Sequence, residues 1–132
     1  NIPTGSTING ILVEIKRYVS GGTGSDTVMK LTANNVNVGT GKHGSSWPTV
    51  EEYSQFGGAA DMWGTSLTVS DINSSTFGVQ VGVQQLTGTP FFRMDHLRIT
   101  ITYTPAAGGS SITVRRSPRG LQSRRKGRSF SN

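Results

Sequence analysis

Two stretches of this sequence alternate apolar with polar side chains, and this alternation constrains the fold more than any other feature. The first stretch places Ile11, Val13 and Ile15 on one side of an extended chain. The second places four residues on one side: Leu97, Ile99, Ile101 and Tyr103. Because successive side chains of a β-strand point to opposite faces, both stretches predict strands with one buried face.

The composition favours strands joined by turns over helices. The 132 residues include 18 glycines, and only 33% are hydrophobic. A third apolar row over 77–83 predicts another strand, and helix is expected only as a single turn with Ser70 as its N-cap. We therefore predict an all-β protein, with an antiparallel β-sandwich of jelly-roll type over residues 1–105 and a Gly/Ser/Arg-rich linker and basic arm over 106–132.

Glycine-rich segments are expected to end the predicted strands. The segment 20–25 is expected to turn the chain into a return strand at 27–31, and 88–90 is expected to form a second turn. Residues 33–46 predict a short edge strand or an ordered loop. Between 47 and 63, aromatic residues separated by glycine and proline replace the alternation, and this segment is expected to plug one end of the sandwich.

The lack of cysteine and of long apolar runs excludes several classes of protein. With no cysteine there is no disulfide framework, no thiolate metal site and no cysteine nucleophile. The longest apolar runs span a few residues, so neither a membrane span nor an intact signal peptide is visible. The sequence therefore predicts no membrane partner.

Three stretches follow one another in the order found in a known type of module. The first is residues 2–11 (IPTGSTINGI) leading into Val13-Glu14-Ile15, and the third is residues 95–103 (DHLRITITY). The second consists of five short pieces: Trp47-Pro48-Thr49, Phe56-Gly57, Asp61-Met62-Trp63-Gly64, Asp71-Ile72-Asn73 and Phe77-Gly78-Val79. Through these stretches the chain resembles an anonymous β-sandwich module of tailed-bacteriophage structural proteins and of some bacterial surface proteins.

The resemblance implies an architecture more than an activity, because such modules have no agreed catalytic or ligand residues. They usually carry one or two further strands before the Ile2-Pro3 segment. Either an upstream segment or a strand from a neighbouring chain is expected to supply them. In both cases an exposed strand edge is expected near residues 8–19.

Positive charge is concentrated after the last acidic residue, Asp95. Residues 1–110 hold six basic and all seven acidic residues, and the other seven basic residues lie at 115–128. Such a segment is expected to be held by an acidic protein surface or by nucleic-acid phosphates. Protein is favoured, because Phe130 is the only aromatic residue available to stack on bases. The predicted assembly arm consists of Arg115, Arg116, Arg119, Leu121, Arg124, Arg125, Lys126, Arg128 and Phe130.

Other candidate sites are weaker than structural explanations of the same residues. Asp95 and His96 are adjacent on a strand and point apart, so a catalytic pair with them or with His43 is not favoured. Asp95 is expected instead to pair with Arg93, Arg98 or a loop backbone. A calcium site would draw on loop oxygens without a known motif: Asp61, Asp71, Asn73, Glu51 and Glu52. A glycan platform would use Trp47, Tyr53 and Trp63, for which core packing is favoured.

The sequence thus predicts a non-enzymatic structural protein of a virion or an extracellular surface, as a tail, fibre or capsid-decoration block. Its expected partners are copies of itself and other assembly proteins, and no cofactor is expected. A carbohydrate-binding adhesion module and nucleic-acid association through the arm are the alternatives.

Overall fold

One antiparallel sheet of six strands makes up most of the protein. A computed structural model describes residues 1–106, 112–117 and 120–125, the last residues (115–117 and 120–125) by their backbone alone. The elements are β1 (Thr7–Ala33), β2 (Val36–Val38), β3 (Glu52–Gly58), α1 (Val69–Asn73), β4 (Gly78–Thr104), β5 (Ile112–Ser117) and β6 (Gly120–Arg125). The predicted all-β class is confirmed. The strand order is β2-β1-β4-β5-β6, and β3 also pairs with β1.

The sheet is built around two strands of 27 residues each, β1 and β4. They pair along their whole length, from Thr7 opposite Thr104 to Thr32 opposite Gly78. The turns predicted at 20–25 and 88–90 are therefore wrong. Both segments lie inside the long strands and face each other, with Gly22 opposite Gly88.

Glycine in these segments allows the strands to bend instead of ending them. The β1–β4 register shifts between Ser20 and Gly22 and again between Thr23 and Gly24. A β-bulge of this kind bends a strand and increases its twist. A side chain at Gly22 would collide with the carbonyl oxygen of Thr87. The close backbone approach therefore requires glycine there.

The bent strands enclose one hydrophobic core. Ile11 and Val13 from the first half of β1 belong to the same buried cluster as Met29 and Leu31 from its second half. The alternation predicted for residues 11–15 and 97–103 is confirmed, because the apolar rows of both stretches face this core. Four residues from the segment between β3 and β4 close it: Trp63, Leu67, Ile72 and Phe77.

The single helical turn lies where the sequence predicted one, with a different cap. The side chain of Thr68, not of Ser70, accepts a hydrogen bond from the backbone N–H of Asp71 at 3.1 Å. The carboxylate of Asp71 accepts the backbone N–H of Thr68 at 2.9 Å. This reciprocal capping box stabilises the N-terminus of α1.

Both edges of β1 are covered, so the exposed edge expected near 8–19 is wrong. Ile11 lies opposite Ile101 of β4 on one side and opposite Gly58 of β3 on the other. Further along, the backbone N–H groups of Lys42 and Trp47 donate to carbonyls of β1 at 2.8 and 2.9 Å. β1 is therefore a central strand.

The sheet continues past residue 105, where the predicted sandwich ended. β5 pairs with β4 from Ile112 opposite Tyr103 to Arg116 opposite Ile99. Val114 of β5 is 3% exposed and belongs to the core. Part of the predicted linker and arm is thus built into the sheet.

Candidate functional site

The basic segment contributes two strands at one margin of the sheet. Arg115 and Arg116 occupy β5, and Arg124 and Arg125 occupy β6. β6 runs antiparallel to β5, with Leu121 opposite Arg116. The other predicted arm residues lie outside the described residues: Arg119, Lys126, Arg128 and Phe130.

This hairpin brings four arginine positions together without a neighbouring acid in sequence. In the register of the two strands, Arg124 lies opposite Thr113 and Arg115 opposite Gln122, so the arginine positions are near one another without being cross-strand partners. The chain has no acidic residue after Asp95 to offset them. A margin of this kind suits carboxylates or phosphates on a partner.

A polar cluster lies on the outer face of the sheet, across β3, β1 and β4. Glu14 lies opposite Gln55 in β3 and opposite Arg98 in β4. The Arg98 guanidinium donates two hydrogen bonds, of 2.6 and 3.0 Å, to the Glu14 carboxylate. Gln55 donates a third at 3.1 Å. Glu14 is consequently only 5% exposed although it faces away from the core.

The charges of this outer-face cluster are matched. The hydrogen bonds to Glu14 raise the pKa of Arg98 above its usual value. A hydrogen bond and the charge of Glu51, 3.1 Å away, raise the pKa of Lys16. Each of these two cations therefore has its own carboxylate.

The three aromatic residues predicted as a glycan platform do not share a surface. Trp47 is 6% exposed and Trp63 is 1% exposed, so both indoles pack inside the protein. This corrects the glycan prediction for the two tryptophans and agrees with the core packing favoured from the sequence. Tyr53 is 40% exposed, and the guanidinium of Arg98 lies 4.2 Å from its ring centroid.

Sequence reasoning missed a buried ion pair beside Trp47. Arg17 and Asp26 are 1% and 2% exposed, and their N–O distance is 2.6 Å. The indole N–H of Trp47 donates to the same carboxylate oxygen at 2.7 Å, and the Arg17 guanidinium lies 4.7 Å from the Trp47 ring centroid. The signal was present in the alternation, because Arg17 falls on the same side of β1 as Ile15 and Val19.

The residues considered for catalysis are separated by the strand geometry. His96 contacts the Tyr53 hydroxyl at 3.2 Å, on the outer face. Asp95 is the extra residue of a bulge in β4, and its carboxylate lies 3.9 Å from the ammonium group of Lys16. Lys16 is thus its partner instead of Arg93, Arg98 or a loop backbone, which were predicted. His43 is exposed on the loop after β2.

Asp61 and Asp71, two of the residues considered for calcium, have different partners. The Asp61 carboxylate lies 2.7 Å from Lys42 and also accepts the backbone N–H of Trp63, and these hydrogen bonds lower its pKa. Asp71 belongs to the capping box of α1, and the hydrogen bonds from Thr68 lower its pKa. Across residues 1–106 and the described parts of the two last strands, no three acidic or histidine side chains form a group able to hold a metal ion.

No family model, curated protein or solved structure matches this chain. Within the described parts of the chain, no helix is long and apolar enough to cross a membrane.

Proposed function

We propose that this chain is a non-enzymatic structural protein of a virion or a comparable extracellular assembly, attached to neighbouring proteins by its basic C-terminal segment. The observation that carries the proposal is the β5–β6 hairpin. It places four arginine positions at one margin of a sheet whose remaining sequence is almost neutral.

The hairpin suits attachment because it joins the charge to a rigid sheet. Guanidinium groups bind carboxylates through two parallel hydrogen bonds, which fixes orientation as well as adding energy. A single exposed ion pair contributes little, about 0–1 kcal/mol. Repetition of one block in a symmetric assembly adds many such contacts, so weak individual pairs are sufficient.

The curled sheet is compatible with the β-sandwich resemblance found in the sequence. Residues from both halves of β1 belong to one buried cluster. We propose that the curled sheet takes the place of the two-layered module in such assembly proteins. The rigid block would then be the sheet, and the attachment would come from its basic margin.

The test is the salt dependence of self-association in the full chain. Sedimentation velocity is measured from about 50 mM to about 500 mM salt, over which the Debye length falls from about 14 to about 4 Å. The Arg124→Gln/Arg125→Gln variant should associate more weakly at low salt and lose most of the salt dependence. Lys30→Gln/Arg93→Gln removes the same charge elsewhere and should behave as the unchanged chain.

Equal salt dependence in both double variants would overturn the proposal. Binding of the unchanged chain to duplex DNA, with no self-association at any salt concentration, would also overturn it and would favour nucleic acid as the partner of the hairpin.

A further inference from the structure

One edge of β4 lacks a neighbouring strand over most of its length. β5 pairs with β4 only from Ile99 to Tyr103. Among the described residues, no strand pairs with the same edge from Gly78 to Arg98. Such an edge presents a row of backbone N–H and C=O groups to any strand that can reach it.

This edge has little of the protection that exposed edges usually carry. Proteins commonly block them with lysine, proline or bulges. Residues 72–92 include no charged side chain at all. Pro90 and the bulged residues of β4 itself lie in the second part of the segment. From Gly78 to Gln85 the β4 residues pair with β1 one after another, with one extra residue on the β1 side, Thr27, between the partners of Gly82 and Val83. The first eight residues of β4 therefore form an uncharged edge without a bulged residue of its own.

The side chains of this segment are complementary to those of a second, antiparallel copy of the same segment. Val79, Val81 and Val83 point to one face, and Gln80 and Gln84 point to the other with the intervening glycines. In an antiparallel pair, every register that sets valine opposite valine also sets glutamine or glycine opposite glutamine or glycine. Because an amide both donates and accepts hydrogen bonds, a glutamine can pair with its own kind.

We propose that the edge over Gly78–Gln85 pairs antiparallel with the same edge of a second copy, forming a two-fold dimer with one continuous sheet. A second copy fits because self-pairing brings no like charges together, and because an uncharged segment has nothing to complement a charged partner. A contact of this kind is isologous, the commonest type in homo-oligomers. Further along the same strand, Leu86 is 54% exposed and Phe91 62% exposed, which adds apolar area beside the pairing segment.

The dimer deepens the proposed assembly function by naming one neighbour, and it does not depend on the basic hairpin. Backbone hydrogen bonds and valine contacts respond little to salt, whereas contacts of the arginines weaken as salt increases. Measurement at high salt therefore isolates the edge contact from the hairpin contact.

The experiment is sedimentation velocity of the full chain in about 0.5 M salt, where the Debye length is about 4 Å. The unchanged chain is expected to sediment as a dimer at about 100 µM. Gln80→Glu/Gln84→Glu places like charges either directly opposite or diagonally across from each other in the matched registers. It should raise the dimer dissociation constant at least tenfold, equivalent to about 1.4 kcal/mol.

The control variant adds two negative charges at the opposite margin of the sheet, at β2. Asn35→Asp/Asn37→Asp changes exposed positions in and beside β2, and the dimer should persist. Circular dichroism verifies that both variants retain the β-sheet. A monomeric unchanged chain at high salt, or equal dissociation constants for the two variants, would overturn the edge contact. Either result would leave the salt-dependent contact of the hairpin open to its own test.

Discussion

The buried pair of Arg17 and Asp26 provides the sharpest test of how this sheet is stabilised. Both side chains are almost fully buried, and the guanidinium also donates to the Ser54 hydroxyl at 2.9 Å. Substituting Arg17 with methionine retains much of the aliphatic volume and leaves the Asp26 carboxylate in the interior without its cation. Breaking a buried pair in this way typically costs about 3–5 kcal/mol.

The cost is expected at the high end because the carboxylate has little other compensation. The second oxygen of Asp26, Oδ2, is buried and has no hydrogen-bond partner in the described residues. Only the indole N–H of Trp47 would remain to stabilise the charge. With a urea m-value of about 2 kcal/mol/M, Arg17→Met should lower the unfolding midpoint by roughly 2 M.

A double-mutant cycle separates the pair from simple loss of packing. Asp26→Asn retains an acceptor for Trp47, and alone it should also destabilise. The double variant Arg17→Met/Asp26→Asn removes both charges and should recover a large part of the loss, since neutral replacements of buried pairs are often tolerated. Urea unfolding followed by circular dichroism measures all four proteins.

The surface pair of Lys16 and Glu51 is the matched control. Their side chains are 34% and 40% exposed, and because exposed ion pairs contribute little to stability, Lys16→Ala should leave the urea midpoint almost unchanged. The reasoning fails if Arg17→Met unfolds within about 1 kcal/mol of the unchanged protein, or if the two single losses simply add in the double variant.

Three further predictions concern the backbone and the acid sensitivity of the fold. Gly24→Ala would drive its Cβ into the Phe92 ring and should lower stability by about 1–3 kcal/mol, whereas Gly58→Ala meets open space and should not, as thermal unfolding will show. Asn35 has φ of 66°, so Asn35→Val should cost about 1–2 kcal/mol in urea unfolding while Asn35→Gly is tolerated. The pKa of Asp71 is lowered from 3.8 in the folded chain. The charged Asp71 carboxylate therefore stabilises the fold fully above pH 3.8, and this stabilisation is lost as the pH falls through the lowered pKa. In Asp71→Ala the free energy of unfolding should fall less steeply as the pH is lowered, and an unchanged acid dependence would contradict this.

The strands with regular alternation were predictable because burial of one face determines both their period and their orientation. Val13 and Ile101 face the core as the pattern indicated. The glycine-rich segments were misread because a glycine has the same sequence signature in a turn and in a bulge. Only the partner strand distinguishes them: Gly22 faces Gly88, and no local pattern indicates that pairing.

Local sequence predicted the candidate sites only in part, even where a side chain's partner is close in sequence. Thr68 and Asp71 are three residues apart, and the pattern located their helical turn but indicated Ser70 as its cap. Glu14 and Arg98 are 84 residues apart, and neither residue type nor spacing indicates their contact. The positive charge of the arm was evident from composition, whereas its entry into the sheet as β5 and β6 depends on pairing with β4.

The position of β1 at the centre of the sheet affects how the chain folds. Asn9 hydrogen-bonds Thr104 across 95 positions of sequence, and β4 must be complete before the whole length of β1 has its second partner. Proteins dominated by such distant contacts fold in milliseconds to seconds instead of microseconds. During synthesis, β1 emerges from the ribosome before β4, so it is paired on both sides only after the chain has been made as far as Thr104.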